Sequence, residues 1–169
     1  MSLNQSLLSE LDQEMASTRK ALERVPTEKF GWKPHDKSGT MGWLANHIAT
    51  IPQWATTTLQ TETFNADGVA PPPQAANTED LLALFDNCVA EFKQILGNAS
   101  DDSLKQTWSM IYGGQKIMEM PRIAVLRGMI LNHLIHHRGQ LTVYLRLNDI
   151  PVPALYGPSA DEGSFGASA

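Results

Sequence analysis

Leu131-Asn132-His133-Leu134-Ile135-His136-His137-Arg138-Gly139-Gln140 is the stretch on which the reading of this chain turns. It lies inside a long run of helical periodicity that starts at Pro121, a residue suited to the first turn of a helix. The run ends near Leu147, before Asn148 and Pro151. His133 and His137 are four apart, so on a helix both rings project from one face, about 6 Å apart along the axis at ~1.5 Å rise per residue. Two imidazoles so placed can share a divalent cation, and a third would complete an open site with a free fourth position.

Working outward, three more helical segments appear. Leu3, Leu7, Leu8, Leu11, Met15 and Leu22 recur mostly at three- and four-residue intervals, which predicts a helix from about Ser2 to Arg24, ended by Pro26. A loop follows over Thr27 to Gly39, with Trp32 as its anchor. A second helix is expected from an N-cap at Thr40 (or Ser38) to about Leu59. Its stripe of Met41, Leu44, Ile48 and Ile51 includes His47, and Pro52 should kink it one turn beyond that histidine. Thr61 to Asn77 carries Gly68 and Pro71-Pro72-Pro73 and reads as a long crossover loop. Asn77 or Thr78 then caps a third helix, with Glu79 and Asp80 in its first turn and an apolar face of Leu81, Leu84, Phe85, Cys88, Phe92, Ile95 and Leu96.

Between the third and last helices, Trp108 to Tyr112 and Lys116 to Met120 flank Gly113-Gly114, a hairpin signal. A lone hairpin is marginal, so the expected fold class is all-α: a four-helix bundle with a long crossover and a short hairpin before the last helix. The 169 residues suffice for one domain with a full core, and residues 151–169 form a Pro-, Gly- and Ser-rich tail whose end is expected to be mobile.

Composition narrows the function classes. The net charge is −5 and no Lys/Arg block occurs, which argues against nucleic acid as a partner. No apolar run approaches the ~20 residues of a membrane span. The first residues, Met1-Ser2-Leu3-Asn4-Gln5, lack the basic-then-apolar layout of a secretory leader. With Cys88 the single cysteine, an internal disulfide is impossible. Together these lead us to expect a cytoplasmic protein. Cys88 lies in an apolar pattern and reads as a small core residue.

The candidate metal ligands are therefore His47, His133 and His137. His136 is rotated about 100° from its neighbours, so it could support a ligand from behind or replace one. Leu134 follows the first histidine, so the zinc-protease helix motif, with Glu in that place, is absent. No Asp or Glu lies in the histidine stretch, and a base would have to come from elsewhere or from water activated by the metal. The competing reading is plain: a histidine on an apolar stripe is often a hydrogen-bonded core residue. His35 reads as solvated, Arg138 and Arg146 as solvated or paired with acids, and Gln140 and Tyr144 as pocket-lining or packing residues.

The string His133-Leu134-Ile135-His136-His137-Arg138-Gly139-Gln140-Leu141, with Tyr144-Leu145-Arg146 and Pro151-Val152-Pro153, resembles the last helix of the DinB/YfiT superfamily of metal-dependent enzymes. Gly42-Trp43-Leu44-Ala45-Asn46-His47-Ile48-Ala49 resembles its second-helix motif, and Tyr156-Gly157-Pro158-Ser159 with Asp161-Glu162 its tail. The resemblance spans nearly the whole chain. It implies an up-down-down-up four-helix bundle and a three-histidine site for a divalent ion, usually zinc or nickel, falling on His47, His133 and His137. Characterised members include thiol-dependent S-transferases and a thiol-dependent isomerase, and several form dimers. It thus implies a low-molecular-weight thiol as co-substrate, a small-molecule substrate and a homodimer as expectations. A metal-dependent hydrolase and a non-catalytic metal-binding or stress-associated protein are the alternatives.

Overall fold

A computed structural model describes residues 1–164. Helix α1 (Leu3–Leu22) buries Leu7, Leu11, Met15 and Leu22 on one stripe. Helix α2 (Met41–Thr50) starts at Thr40, whose hydroxyl accepts from the Trp43 amide at 3.1 Å. Pro52 has the expected effect. It lies in a single 3₁₀ turn, Ile51–Gln53, which separates α2 from α3 (Trp54–Gln60). Helix α4 (Thr78–Gly97) is capped by Asn77, whose side chain accepts from the Asp80 amide at 2.8 Å. A short helix α5 (Asp101–Lys105) follows from the Ser100 cap.

The all-α expectation is overturned by a three-stranded mixed sheet. Strands β2 (Thr107–Tyr112) and β3 (Gln115–Pro121) form the anticipated hairpin, with Gly113 and Gly114 at φ 59° and 71° in its turn. Both values lie in the left-handed region that glycine adopts without steric cost. The unanticipated member is β1 (Thr63–Asn65), which pairs in parallel with β2, Thr63 opposite Ser109 and Asn65 opposite Ile111. The stretch read as crossover loop therefore opens with a strand. Parallel neighbours need a long connection, and α4 with α5 provides it. The third strand and a small core of its own also answer the marginal stability of a lone hairpin. Trp108, Met110 and Val125 form that core, and Trp108 is fully buried with its indole N–H donating to Thr61 Oγ1 at 3.1 Å.

The last helical run is not uniform. Helix α6 (Arg122–Val125) begins one residue after Pro121, which ends β3. A π-helical segment, Leu126–Asn132, then leads into α7 (His133–Arg146). The main core gathers α1, α2, α4 and α7 around Leu11, Leu22, Ile48, Phe85, Phe92 and Leu141. Cys88 is buried in α4, and its thiol is pushed up by burial, as befits a core residue.

Two side chains hold the periphery in place. Asn46 is buried in α2 and clasps the crossover segment, accepting from the Ala75 amide at 2.6 Å and donating to the Ala75 carbonyl at 3.2 Å. Arg138 is buried to 1% exposure in α7 and contacts Glu14 of α1 at 2.8 Å. Its solvated reading fails and its pairing with an acid holds. Tyr156 joins the pair from the tail, donating to Glu14 Oε2 at 2.7 Å with its ring 5.0 Å from the guanidinium. Asp161 bonds Arg146 and Glu162 bonds Arg24, so the tail folds back on the helices through Ser164. Its last five residues lie outside the described residues. No helix among the described residues is long and apolar enough to cross a membrane.

Candidate metal centre

Helix geometry alone brings His133 and His137 together, since both sit in the regular α-helical turns of α7. His47 arrives from α2, which packs against α7. The three rings converge on their Nε2 atoms: His137 to His133 is 2.8 Å and His47 to His133 is 3.3 Å. One nitrogen from each of the three lies within 4.8 Å of the others, and no carboxylate belongs to the group.

The outward-facing nitrogens explain why the inner ones are free to bind. His133 Nδ1 lies 3.2 Å from the carbonyl of Met129, within the π segment. It must donate there, which leaves its Nε2 with a bare lone pair. His137 Nδ1 donates to Gln140 Oε1 at 2.7 Å, so its Nε2 is bare as well. Gln140 is oriented in turn by His136, whose Nε2 lies 3.1 Å from the amide nitrogen. His136 thus stands outside the cluster and supports His137 through Gln140. Two bare lone pairs 2.8 Å apart repel unless a positive charge lies between them. Tetrahedral ligands at about 2.0–2.1 Å stand about 3.3 Å from each other, the His47–His133 value, and the His133–His137 pair needs to open by only about 0.5 Å. The three-histidine group could hold a divalent metal ion.

Electrostatics agree. Burial, and the neighbouring His137 and His133, push the His47 imidazolium down to about 4. Burial likewise lowers His137. Around pH 7 both rings are neutral, the form that ligates metal.

Trp43 is a feature that the sequence reading passed over. Its ring stacks on His47 at 5.2 Å and 11°. The signal was available, because Trp43 and His47 are four apart in the same helix. A cleft opens on each side of the cluster. On one side His137, Gln140, Tyr144 and Trp43 line about 480 Å³, so the pocket-lining reading of Gln140 and Tyr144 holds. On the other, His47 lines about 490 Å³ with α3, β1 and the crossover segment. Trp32 anchors its loop against Tyr144, edge to face at 5.5 Å. His35 is exposed in that loop, its Nδ1 accepting from the Lys37 amide, and takes no part.

The fold is that of a mostly helical protein with a small mixed sheet, and it presents three convergent imidazoles that could hold a divalent metal ion beside two clefts. The chain is a member of the DinB family, whose model matches residues 1–164. It is 28% identical over 161 residues to the uncharacterized protein YrdA of Bacillus subtilis, covering 92% of this chain and 90% of that one. Among solved structures, a DinB-like protein of Bacillus cereus aligns with a TM-score of 0.70 at 24% identity, over 88% of this chain and 95% of its own. The DinB-like protein YjoA of Bacillus subtilis aligns at 0.69 and 20% identity, over 88% and 96%. These two likenesses concern the fold.

Proposed function

We propose that this chain is a metal-dependent enzyme of the cytoplasm in which His47, His133 and His137 bind zinc or nickel and activate a low-molecular-weight thiol for transfer to a small-molecule electrophile. The observation that carries the reading is the convergence of three imidazoles beside two clefts. A divalent ion supplies Lewis acidity there, lowering the pKa of a thiol placed beside it. With three neutral ligands and no carboxylate in the cluster, the ion's charge stays uncompensated by protein, which favours an anionic sulfur over a neutral one. The chain's own residues then have defined tasks. Gln140 holds the His137 ring in orientation, Met129 does the same for His133, and Trp43 covers one face of His47. Two clefts allow thiol and electrophile to approach the same centre from different sides, which is what a two-substrate transfer requires.

Hydrolysis is the alternative reading: with no carboxylate in the cluster, it would rely on water activated by the metal alone. A purely metal-storing protein would be expected to seal the ion, whereas His47 and His137 both line clefts. The test is elemental analysis of the purified parent beside a His47→Ala, His133→Ala, His137→Ala variant checked for helix content. About one equivalent of zinc or nickel in the parent and none in the variant supports the site. Equal metal in both refutes it. Thiol-dependent consumption of monochlorobimane by the loaded parent separates transfer from hydrolysis.

A further inference from the structure

The two clefts differ in what walls them, and the difference has a chemical meaning. On the His47 side the wall is aromatic and aliphatic: Trp54 and Phe64 stand edge to face at 5.2 Å and 84°, and Val69 and Pro72 of the crossover segment face them across the cavity. Val69 is 55% exposed, an apolar side chain at the cleft with no core to cover it. The walls are anchored at both ends. Ala66 donates to the Ile111 carbonyl at 2.9 Å and Asp67 accepts from the Gly113 amide at 2.8 Å, which ties the near end to the hairpin. The Asn46 clasp on Ala75 ties the far end. A cleft held this way is formed before any ligand arrives, and its volume of about 490 Å³ lies in the range of small-molecule sites.

Polar groups restrict the occupant. The Thr56 hydroxyl is covered by protein, but the exposed Gln53 carboxamide lines the same cleft beside Thr50 and Thr57 and is placed to meet one hydrogen-bonding group of a ligand. Glu91 is the one charged lining residue; it is exposed and forms no ion pair among the described residues. Its carboxylate, partly screened by water, disfavours anions along that wall. His47 is itself a lining residue, so the cleft adjoins the histidine cluster.

We infer that the cleft on the His47 side seats the apolar body of an organic substrate, an aromatic or aliphatic electrophile with one hydrogen-bonding group, and favours neutral molecules over anionic ones. The inference rests on the metal-site reading for the direction of approach and on the cleft itself for the class of molecule. It leaves the His137 side, lined by Ser38, Gln140 and Tyr144, for the more polar thiol.

Benzohydroxamic and acetohydroxamic acids share a metal-binding head and differ in the apolar body, so they serve as probes. On zinc-loaded protein the benzo compound should bind about tenfold more tightly, the value of partial burial of a phenyl ring. Val69→Asp, a change on an exposed loop residue, should abolish that preference while leaving acetohydroxamate binding intact. Affinities within twofold of each other, or a preference that survives Val69→Asp, overturn the cleft assignment. The cleft is also read without metal. Benzohydroxamic acid at up to about 10 mM should shift the backbone amide resonances of Thr56, Phe64 and Val69 in metal-free protein, and no shift there overturns the proposal. Shifts in that experiment, together with failure of both probes on zinc-treated protein, would support the cleft and count against the metal reading alone.

Discussion

Replacing Arg138 by Met should be among the most damaging single changes in this chain, although Arg138 is not a member of the histidine cluster. The guanidinium is 1% exposed and makes its bonds entirely to protein: the Glu14 carboxylate at 2.8 Å, the Glu14 carbonyl at 3.0 Å, Thr18 Oγ1 at 3.2 Å and the Tyr156 hydroxyl. Methionine fills much of the volume but leaves the Glu14 carboxylate, 7% exposed, with the Tyr156 hydroxyl as its one remaining side-chain partner. Uncompensated buried charges of this kind cost about 3–5 kcal/mol. Against a typical domain stability of about 5–15 kcal/mol, that loss is large. In urea, with a slope of about 2 kcal/mol/M, a 4 kcal/mol loss moves the midpoint by about 2 M. Two companion variants identify the cause. Tyr156→Phe removes two hydrogen bonds to charges, one donated to Glu14 and one accepted from Arg138, at a residue 63% exposed, and should cost about 1–2 kcal/mol. The double variant Arg138→Met, Glu14→Leu removes both charges and should recover most of the loss, since an apolar pair in place of a buried ion pair is often neutral. A loss below about 1 kcal/mol for Arg138→Met, or a double variant as unstable as the sum of the singles, would refute the reasoning.

Three further expectations follow from the same geometry. In metal-free protein His47 titrates near 4 when folded and near 6.5 when unfolded, so between those values the unfolded chain binds more protons; stability is full above about pH 6.5 and falls as pH drops toward 4. The 2.5-unit gap sets a ceiling of about 3.4 kcal/mol, reduced to about 2 for a ring partly open to solvent; a parent whose loss of stability from pH 7 to 4.5 matches that of His47→Ala would contradict this. Gln140→Ala frees the His137 ring to turn and should weaken zinc binding about 10- to 100-fold in chelator competition, with unfolding unchanged. Gly42→Ala places a methyl 2.8 Å from Phe30 Cβ and should cost about 1–3 kcal/mol in thermal unfolding, and a neutral result would mean that the Thr27–Gly39 loop yields easily.

What could be read from the sequence was what depends on neighbours along the chain. The facing of His133 and His137, the Asn77 cap, the break at Pro52 and the Gly113-Gly114 turn each follow from rules that span a few residues. Trp43 over His47 obeys the same i,i+4 rule and could have been found. Arg138 could not: an arginine on a helix reads as solvated until the partner 124 residues earlier is known to face it. The π segment left no mark either, because its apolar residues suit an α-helix equally well.

Strand β1 shows most clearly where sequence reading stops, and why that matters for function. Three residues, Thr63-Phe64-Asn65, carry no periodicity that could be distinguished from loop, and their pairing with β2 is settled some 45 residues later in the chain. Yet this strand turns a crossover into a wall, because it fixes Phe64 against Trp54 in the cleft that His47, Val69 and Pro72 also line. The meeting with His47 depends on the packing of α2 on α7, whereas the facing of the candidate ligands His133 and His137 is built from local helix geometry and was therefore legible. The surface that would choose a substrate is built from a non-local strand pairing and a loop, and was not. A relative with the same three histidines but a different segment after its second helix should therefore keep the metal and change the molecule it accepts.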